Sequence, residues 1–407
     1  MNIIDGNVTS PKGFKAIGNF VGLKKGKKDL ALILSEIPAV SAGCFTQNVV
    51  KAAPVHWDIE RVKTKKDKIK GVVVNSGNAN ACTGTQGMKD AETTAEVFAE
   101  LANCEKENVL VCSTGVIGVN LPMDTMVKGI KETFPLLSDS FEAGKLASEA
   151  IMTTDTFAKT VCVEIELSGK KVTLGGMAKG SGMINPNMAT MLCFITTDAN
   201  ISKDMLDKAL SDCILDTFNM ICVDGDTSTN DTVLALANGL AENKEITEEN
   251  EDYKIFKDAL FYINKTLAMS CARDGEGSTK LMEVTVTGAN DKESARKIAN
   301  SVVSSSLFKA ALFGEDANWG RVLCAMGYAG AEFDPSKVTI IFRSKAGEIL
   351  LMDNGTPIVF DEEKAATILK ETDIFVDIKL VGGEETATAW GCDLTYDYVK
   401  INGDYRS

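Results

Sequence analysis

Thr190 stands between the turn residues Asn185, Pro186 and Asn187 and the apolar run Met191-Leu192-Cys193-Phe194-Ile195. A threonine hydroxyl is a weak nucleophile unless a base takes its proton. A threonine at a chain start carries that base itself, because its own α-amine serves. Cutting the Ala189–Thr190 bond, behind a Gly/Pro/Asn turn and ahead of a buried strand, would create this arrangement; the plain alternative is a strand-initiating threonine. Composition narrows the other choices. There is one histidine, His56 in APVHWD, so a multi-histidine metal site is ruled out. Any Ser-His or Cys-His machine must use that residue, and beside Pro54 and Trp57 it reads as structural. The eleven cysteines stand singly, without a C-x-x-C, many in apolar runs such as MLCF and NMICV. Scattered thiols of this kind fit a reducing compartment and offer no clustered zinc ligands.

Four further stretches could do chemistry. In CSTGVIG (112–118), Thr114 precedes Gly115, whose backbone N–H can approach a ligand closely, as an oxyanion hole requires. In TLGGMAKGSGM (173–183), Lys179 comes before Gly180, whereas a phosphate loop needs its lysine directly after the glycine. That turn suits a carboxylate rather than ATP. NSGNANACTGTQG (75–87) follows a strand but lacks G-x-G-x-x-G, which excludes the dinucleotide reading and leaves a functional loop or a plain connector. VDGDTSTNDT (223–232) resembles a calcium loop at Asp224, Asp226 and Asn230. The glutamate due at the twelfth position is missing, since residue 235 is alanine, so a self-satisfying Asp/Thr turn is the better reading.

These residues need a scaffold. A chain of 407 residues is long enough for two or three domains. Its net charge of -14 argues against nucleic acid or an anionic membrane as partner. No run approaches the roughly 18 apolar residues of a membrane span, and the start lacks a signal-peptide pattern; the expectation is a soluble, cytoplasmic protein. Residues 30–34, 71–74 and 109–112 read as buried strands, and 161–172 as a hairpin reversing near Ser168-Gly169. Helical spacing marks 90–101, 138–152, a helix capped by Ser202 with inner residues Leu206, Leu210, Ile214, Phe218 and Ile221, and 294–311. The charge run 245–252 is a solvated loop or helix start, and the alternation over 392–401 predicts a half-exposed strand. Strands mixed with helices, without a strict βαβ rhythm, give an α/β or α+β class with layered sheets.

The motifs NPNMATML, CSTGVIG, MAKGSGMI, VDGDTSTNDT, FGEDANWGRVLCAMGYAG and the ending YVKINGDYRS resemble, in order, the ornithine acetyltransferase (glutamate N-acetyltransferase) family of arginine biosynthesis. The likeness runs from FTQNVVKAAPV to the last residue. It implies a four-layered α/β/β/α fold reminiscent of N-terminal nucleophile hydrolases with different connectivity. It also implies self-cleavage at Ala189–Thr190 into an α chain (1–189) and a β chain (190–407), assembled as α2β2. Thr190 would take the acetyl group from N-acetylornithine and pass it to glutamate, with Thr114 and Gly115 as the oxyanion hole. Substrate contacts carried over by motif are Thr154 (favoured over Thr153), Lys179, Thr190, Glu276, Asn402 and Ser407, the last a serine where many relatives have threonine. No cofactor or metal is implied, although some members accept acetyl-CoA as a second acetyl donor. The alternative enzyme is a self-processed amidase or aminopeptidase that hydrolyses the acyl-threonine. A non-enzymatic alternative is an amino-acid-binding protein.

Overall fold

The structure, a computed structural model, describes residues 1–64, 68–185 and 191–404. One long strand sets its architecture. Leu30–Phe45 loses register between Leu34 and Ala39, around Pro38, which has no N–H to give a ladder. Its first part pairs with Phe14–Asn19 and Ile69–Asn78. Its second part pairs with Thr232–Ala237. The strand thus carries one nine-stranded sheet from one layer into another stacked upon it.

Side-chain alternation fixes the stacking. Ala31, Ile33, Val72, Val74, Leu110 and Cys112 share a core with Met177, Leu192, Phe194, Leu234 and Leu236 from the other layer. Their sequence neighbours Leu30, Leu32, Val73, Val109 and Val111 face the opposite way, onto Ala91, Ala95, Phe98, Met126 and Ile130 of the helices Gly84–Ala102 and Met123–Thr133. On the far side, Cys193, Ile195, Val233 and Ala235 pack with Leu206, Leu210, Ile263 and Leu267 of the helices Lys203–Leu215 and Glu251–Arg273. The layers run helix, sheet, sheet, helix, as the four-layered α/β/β/α expectation has it. Strands covered on both faces need continuous apolar runs, which is why 30–34, 71–74 and 191–195 read so clearly.

A second sheet, of seven strands among the described residues, has its own place behind Glu251–Arg273. There Leu281–Ala289 lies between Asp373–Lys379 and Glu385–Cys392, covered by Lys292–Val303. The boundary expected at 189/190 lies outside the described residues, in the sequence between Lys170–Lys179 and Leu192–Thr197, which are antiparallel neighbours in the first sheet.

Three elements depart from expectation. The helix after Ser202 stops at Leu215, and Phe218 and Ile221 belong to a short 3-10 turn and the strand Ile221–Cys222. Burial toward one core reproduces the helical spacing without the helix. The helix expected over 294–311 is two, Lys292–Val303 and Ser306–Phe313, because the Ser305 hydroxyl accepts from Phe308 N and caps a new start. The strand expected over 392–401 ends at Cys392, and a helix Tyr396–Asp404 follows. Thr395 Oγ1 accepts from Tyr398 N at 3.3 Å, and Tyr396 is exposed. Three alternating residues were too few to define a period.

Candidate active site

Thr114 and Gly115 end the strand Val109–Val116, parallel to Ile69–Asn78. At Gly115 φ is +135°, and a Cβ there would lie 2.3 Å from the Gly77 carbonyl carbon. Only glycine fits so close to a neighbouring backbone. The ladder is irregular at the same place, with Asn78 facing both Thr114 and Val116, and bulges of this kind re-aim residues beside active sites. Asn230 sews this strand end to the segment after residue 223. Its Nδ2 donates to Ser113 O at 2.8 Å and to Ala79 O at 2.7 Å, while Thr229 Oγ1 donates to its Oδ1 at 2.7 Å. The result is a wall of neutral dipoles.

A charged wall stands opposite. Asp155 Oδ1 accepts from Lys159 Nζ and from Gly180 N, both at 2.7 Å, and Oδ2 accepts from Thr153 N at 3.0 Å. Lys159 Nζ also donates to Asp274 Oδ2 at 2.6 Å, and Asp274 in turn receives Thr156 N at 3.0 Å. The three charged side chains are 0 to 2% exposed. Burial alone would raise the Asp155 carboxyl, but Lys179 and Lys159 outweigh it and hold it at about 2. Burial lowers the Lys159 amine, and Asp155 and Asp274 raise it beyond that loss. Three loops are tied together here: 153–156, 179–182 and 273–277. Further bonds tighten the wall. Thr154 Oγ1 and Ser181 Oγ lie 2.6 Å apart, Glu276 N donates to Ser181 O at 2.8 Å, and Asn402 Nδ2 donates to Glu276 Oε2 at 2.7 Å. A Cβ at Gly182 would sit 2.4 Å from the Glu276 carboxyl and displace it.

Between the walls lies a cavity of about 90 Å³ lined by Thr114, Gly115, Thr153, Thr154, Lys179, Glu276 and Asn402 with Ala79, Ile117, Gly182, Met183 and residues 228–230. Lys179 Nζ spans the gap, donating to Thr114 Oγ1 at 3.4 Å. Six of the expected residues and the Thr153 alternative therefore meet at one place. Both threonines of the 153–154 pair line it, and the Thr154 hydroxyl engages Ser181. Ala189, Thr190 and Ser407 lie outside the described residues. His56 is exposed on the helix Ala53–Thr64 and is not among the lining residues. The segment 313–330 does not line the cavity either.

Sequence reasoning missed the members whose role is to hold others. Asp155 was visible only as part of TTDT, and nothing in the spacing joins it to Lys159 and Asp274. The loop 223–232 is more than a self-satisfying turn. Asp226 N does donate to Asp224 Oδ1 at 3.2 Å, yet the same carboxyl accepts from Met183 N and Ile184 N, forty residues away. Ser228, Thr229 and Asn230 line the cavity itself.

The sequence profile of the ArgJ family matches residues 15–407. The arginine biosynthesis bifunctional protein ArgJ of Caldanaerobacter subterraneus subsp. tengcongensis is 54% identical over 407 residues, covering 100% of both chains. Arginine biosynthesis bifunctional protein ArgJ 1 of Clostridium acetobutylicum is 52% identical over 402 residues, 98% of each chain. Among solved structures, an arginine biosynthesis bifunctional protein argJ chain from Bacillus halodurans is 48% identical with a TM-score of 0.50. It matches 52% of this chain and 98% of its own.

Proposed function

The chain belongs to the ArgJ family, and from that premise we propose that it is the acetyltransferase of arginine biosynthesis that moves an acetyl group from N-acetylornithine to glutamate. The observation that carries this reading is the convergence of Thr114, Gly115, Thr154, Lys179, Glu276 and Asn402, from five distant segments, on one cavity. Self-cleavage at Ala189–Thr190 frees the Thr190 α-amine. That amine takes the hydroxyl proton as Oγ attacks the acetyl carbonyl, and the oxyanion forms against the Thr114 hydroxyl and the Gly115 N–H. Collapse breaks the C–N bond, the proton goes to the departing ornithine nitrogen, and acetyl-Thr190 remains. The glutamate amine then attacks the ester, gives up a proton, and leaves as N-acetylglutamate with Thr190 restored. Lys179 matches the α-carboxylate that both substrates carry, and Glu276 the ammonium of ornithine.

The half-length match to the Bacillus halodurans chain supports a protein of two pieces, 1–189 and 190–407. Antiparallel pairing across the cut would keep them together, and their pairing as α2β2 belongs to the same reading. So do substrate contacts at Thr190 and Ser407, a cytoplasmic location and the lack of a resident cofactor. Among the described residues no helix is long and apolar enough to cross a membrane. The word bifunctional in the relatives' names favours acetyl-CoA as a second donor.

Intact mass and turnover test the proposal together. The wild type should appear as two pieces and convert N-acetylornithine and glutamate to ornithine and N-acetylglutamate. Thr190→Ala should stay in one piece, inactive. Cleavage of Thr190→Ala at this bond, or release of acetate instead of acetylglutamate by the wild type, would overturn it.

A further inference from the structure

The loop that follows Cys222 grips the chain on both sides of residues 186–190. Upstream, Asp224 Oδ2 accepts from Met183 N at 2.6 Å and Oδ1 from Ile184 N at 2.9 Å, while Val223 N donates to Ile184 O at 2.8 Å. Downstream, Asp231 Oδ1 accepts from Met191 N at 3.0 Å, and Thr232 N donates to Met191 O at 3.1 Å. The grip then continues as the parallel ladder of Thr232–Ala237 with Leu192–Thr197.

Asp231 is the unusual member. Its side chain is fully buried. Burial pushes its carboxyl well above the ordinary range, against the pull of the Met191 N–H, of Lys179 and of the Ser228 and Thr46 hydroxyls. A carboxyl in such a place is costly unless its hydrogen bonds matter, and a position that only needed filling would carry an apolar side chain. The N–H that Asp231 holds belongs to Met191, the residue that follows Thr190 in the sequence.

We propose that Asp231 is a positioning residue for self-cleavage and for the acetyl transfer that follows, acting through the Met191 N–H, with Asp224 as its upstream counterpart. This rests on the reading that the chain cuts itself at Ala189–Thr190. The acceptor oxygen is what the proposal needs, and asparagine retains it.

The test follows three variants, Asp231→Ala, Asp231→Val and Asp231→Asn, in the full chain. Conversion of the intact chain to two pieces is timed by mass, kcat and KM are measured on the cleaved fraction, and near-ultraviolet circular dichroism checks the fold. Small displacements of reacting groups cost up to about 10²-fold in rate. Asp231→Ala and Asp231→Val should therefore cleave at least about tenfold more slowly, with kcat down by a similar factor and KM within about twofold. Asp231→Asn should bring both rates back to within about threefold of wild type, a rescue expected only if the acceptor and not the charge matters. Folded Ala or Val variants that cleave and turn over like wild type would overturn the proposal. So would an asparagine variant as impaired as alanine, or failure of both Ala and Val to fold, which would make the carboxyl a part of the core alone. A wild-type chain that never cuts would instead overturn the reading on which the proposal rests.

Discussion

The two walls of the cavity solve different electrostatic problems. One presents Thr114, Gly115, Ser228, Thr229 and Asn230, all neutral. The other rests on Asp155, Lys159 and Asp274, ion-paired and buried, with Lys179 and Glu276 at its surface. Charge that appears only during reaction is best met by fixed dipoles, which need no counter-ion beforehand. Charge that a substrate carries throughout is met by full charges, and these must be locked so that they do not collapse on each other. The buried triad does the locking: Asp155 ends both the loop holding Thr154 and the turn after Lys179, while Asp274 anchors the loop of Glu276. On the proposed reading, turnover would belong to the neutral wall, and shape and recognition to the charged one.

That division breaks most visibly at Lys159. Removing one partner of a buried ion pair leaves uncompensated charge and costs about 3–5 kcal/mol. Lys159→Met should accordingly lower the urea midpoint steeply; a midpoint near wild type would mean that the triad does not hold the wall. On the neutral side, loss of one oxyanion donor typically slows turnover by about 10²- to 10³-fold. Thr114→Ala should show this in kcat with KM and urea midpoint little changed, and an unaltered kcat would remove Thr114 from the hole.

Acid sharpens the contrast. Folded Asp155 titrates at about 2 rather than at 3.8, so between those values the unfolded chain binds more protons and stability rises with pH. The full rise is about 2 kcal/mol, present above pH 3.8 and lost as pH falls through 2. In Asp155→Asn that rise should be missing, so the stability gap to wild type should widen from pH 2 to about 4 and then stay level. A gap independent of pH would contradict the assignment. The smallest effect is expected at His56, which belongs to neither wall. His56→Gln should change stability by no more than about 0.5 kcal/mol and leave kcat nearly intact. A fall of about 10³-fold in folded, fully cleaved protein would instead indicate a lost general base and defeat the α-amine mechanism.

How much of this was legible in the sequence follows the same division. The neutral strand end could be read locally, because an apolar run breaking into STGVIG carries its own explanation. The inner strands were readable for a similar reason, since burial on both faces leaves no polar interruption. The charged wall was not, because Asp155, Lys159 and Asp274 become partners only through the fold, over as many as 115 residues. Periodicity failed where different elements share one core, as at Phe218 and Ile221, and where a hydroxyl restarts a helix, as at Ser305. The second sheet had no local signature beyond short apolar stretches. Asp231 looked like an ordinary turn residue because its acceptor role is toward Met191, forty residues earlier.

One feature of the first sheet bears on how such a protein ages. The ladder Met177↔Phe194 and Ala178↔Cys193 joins strands from opposite sides of residues 186–190. While the chain is whole, a short tether keeps those strands at a local concentration in the millimolar range. Were it severed as proposed, the ladder would be the link between the pieces, and two molecules would have to meet again after any complete unfolding. Refolding would then slow on dilution, and apparent stability would depend on protein concentration. Folding before the cut would then be the easier order, and the mature enzyme would be a state reached by that order of events rather than one the separated pieces regain with the same ease.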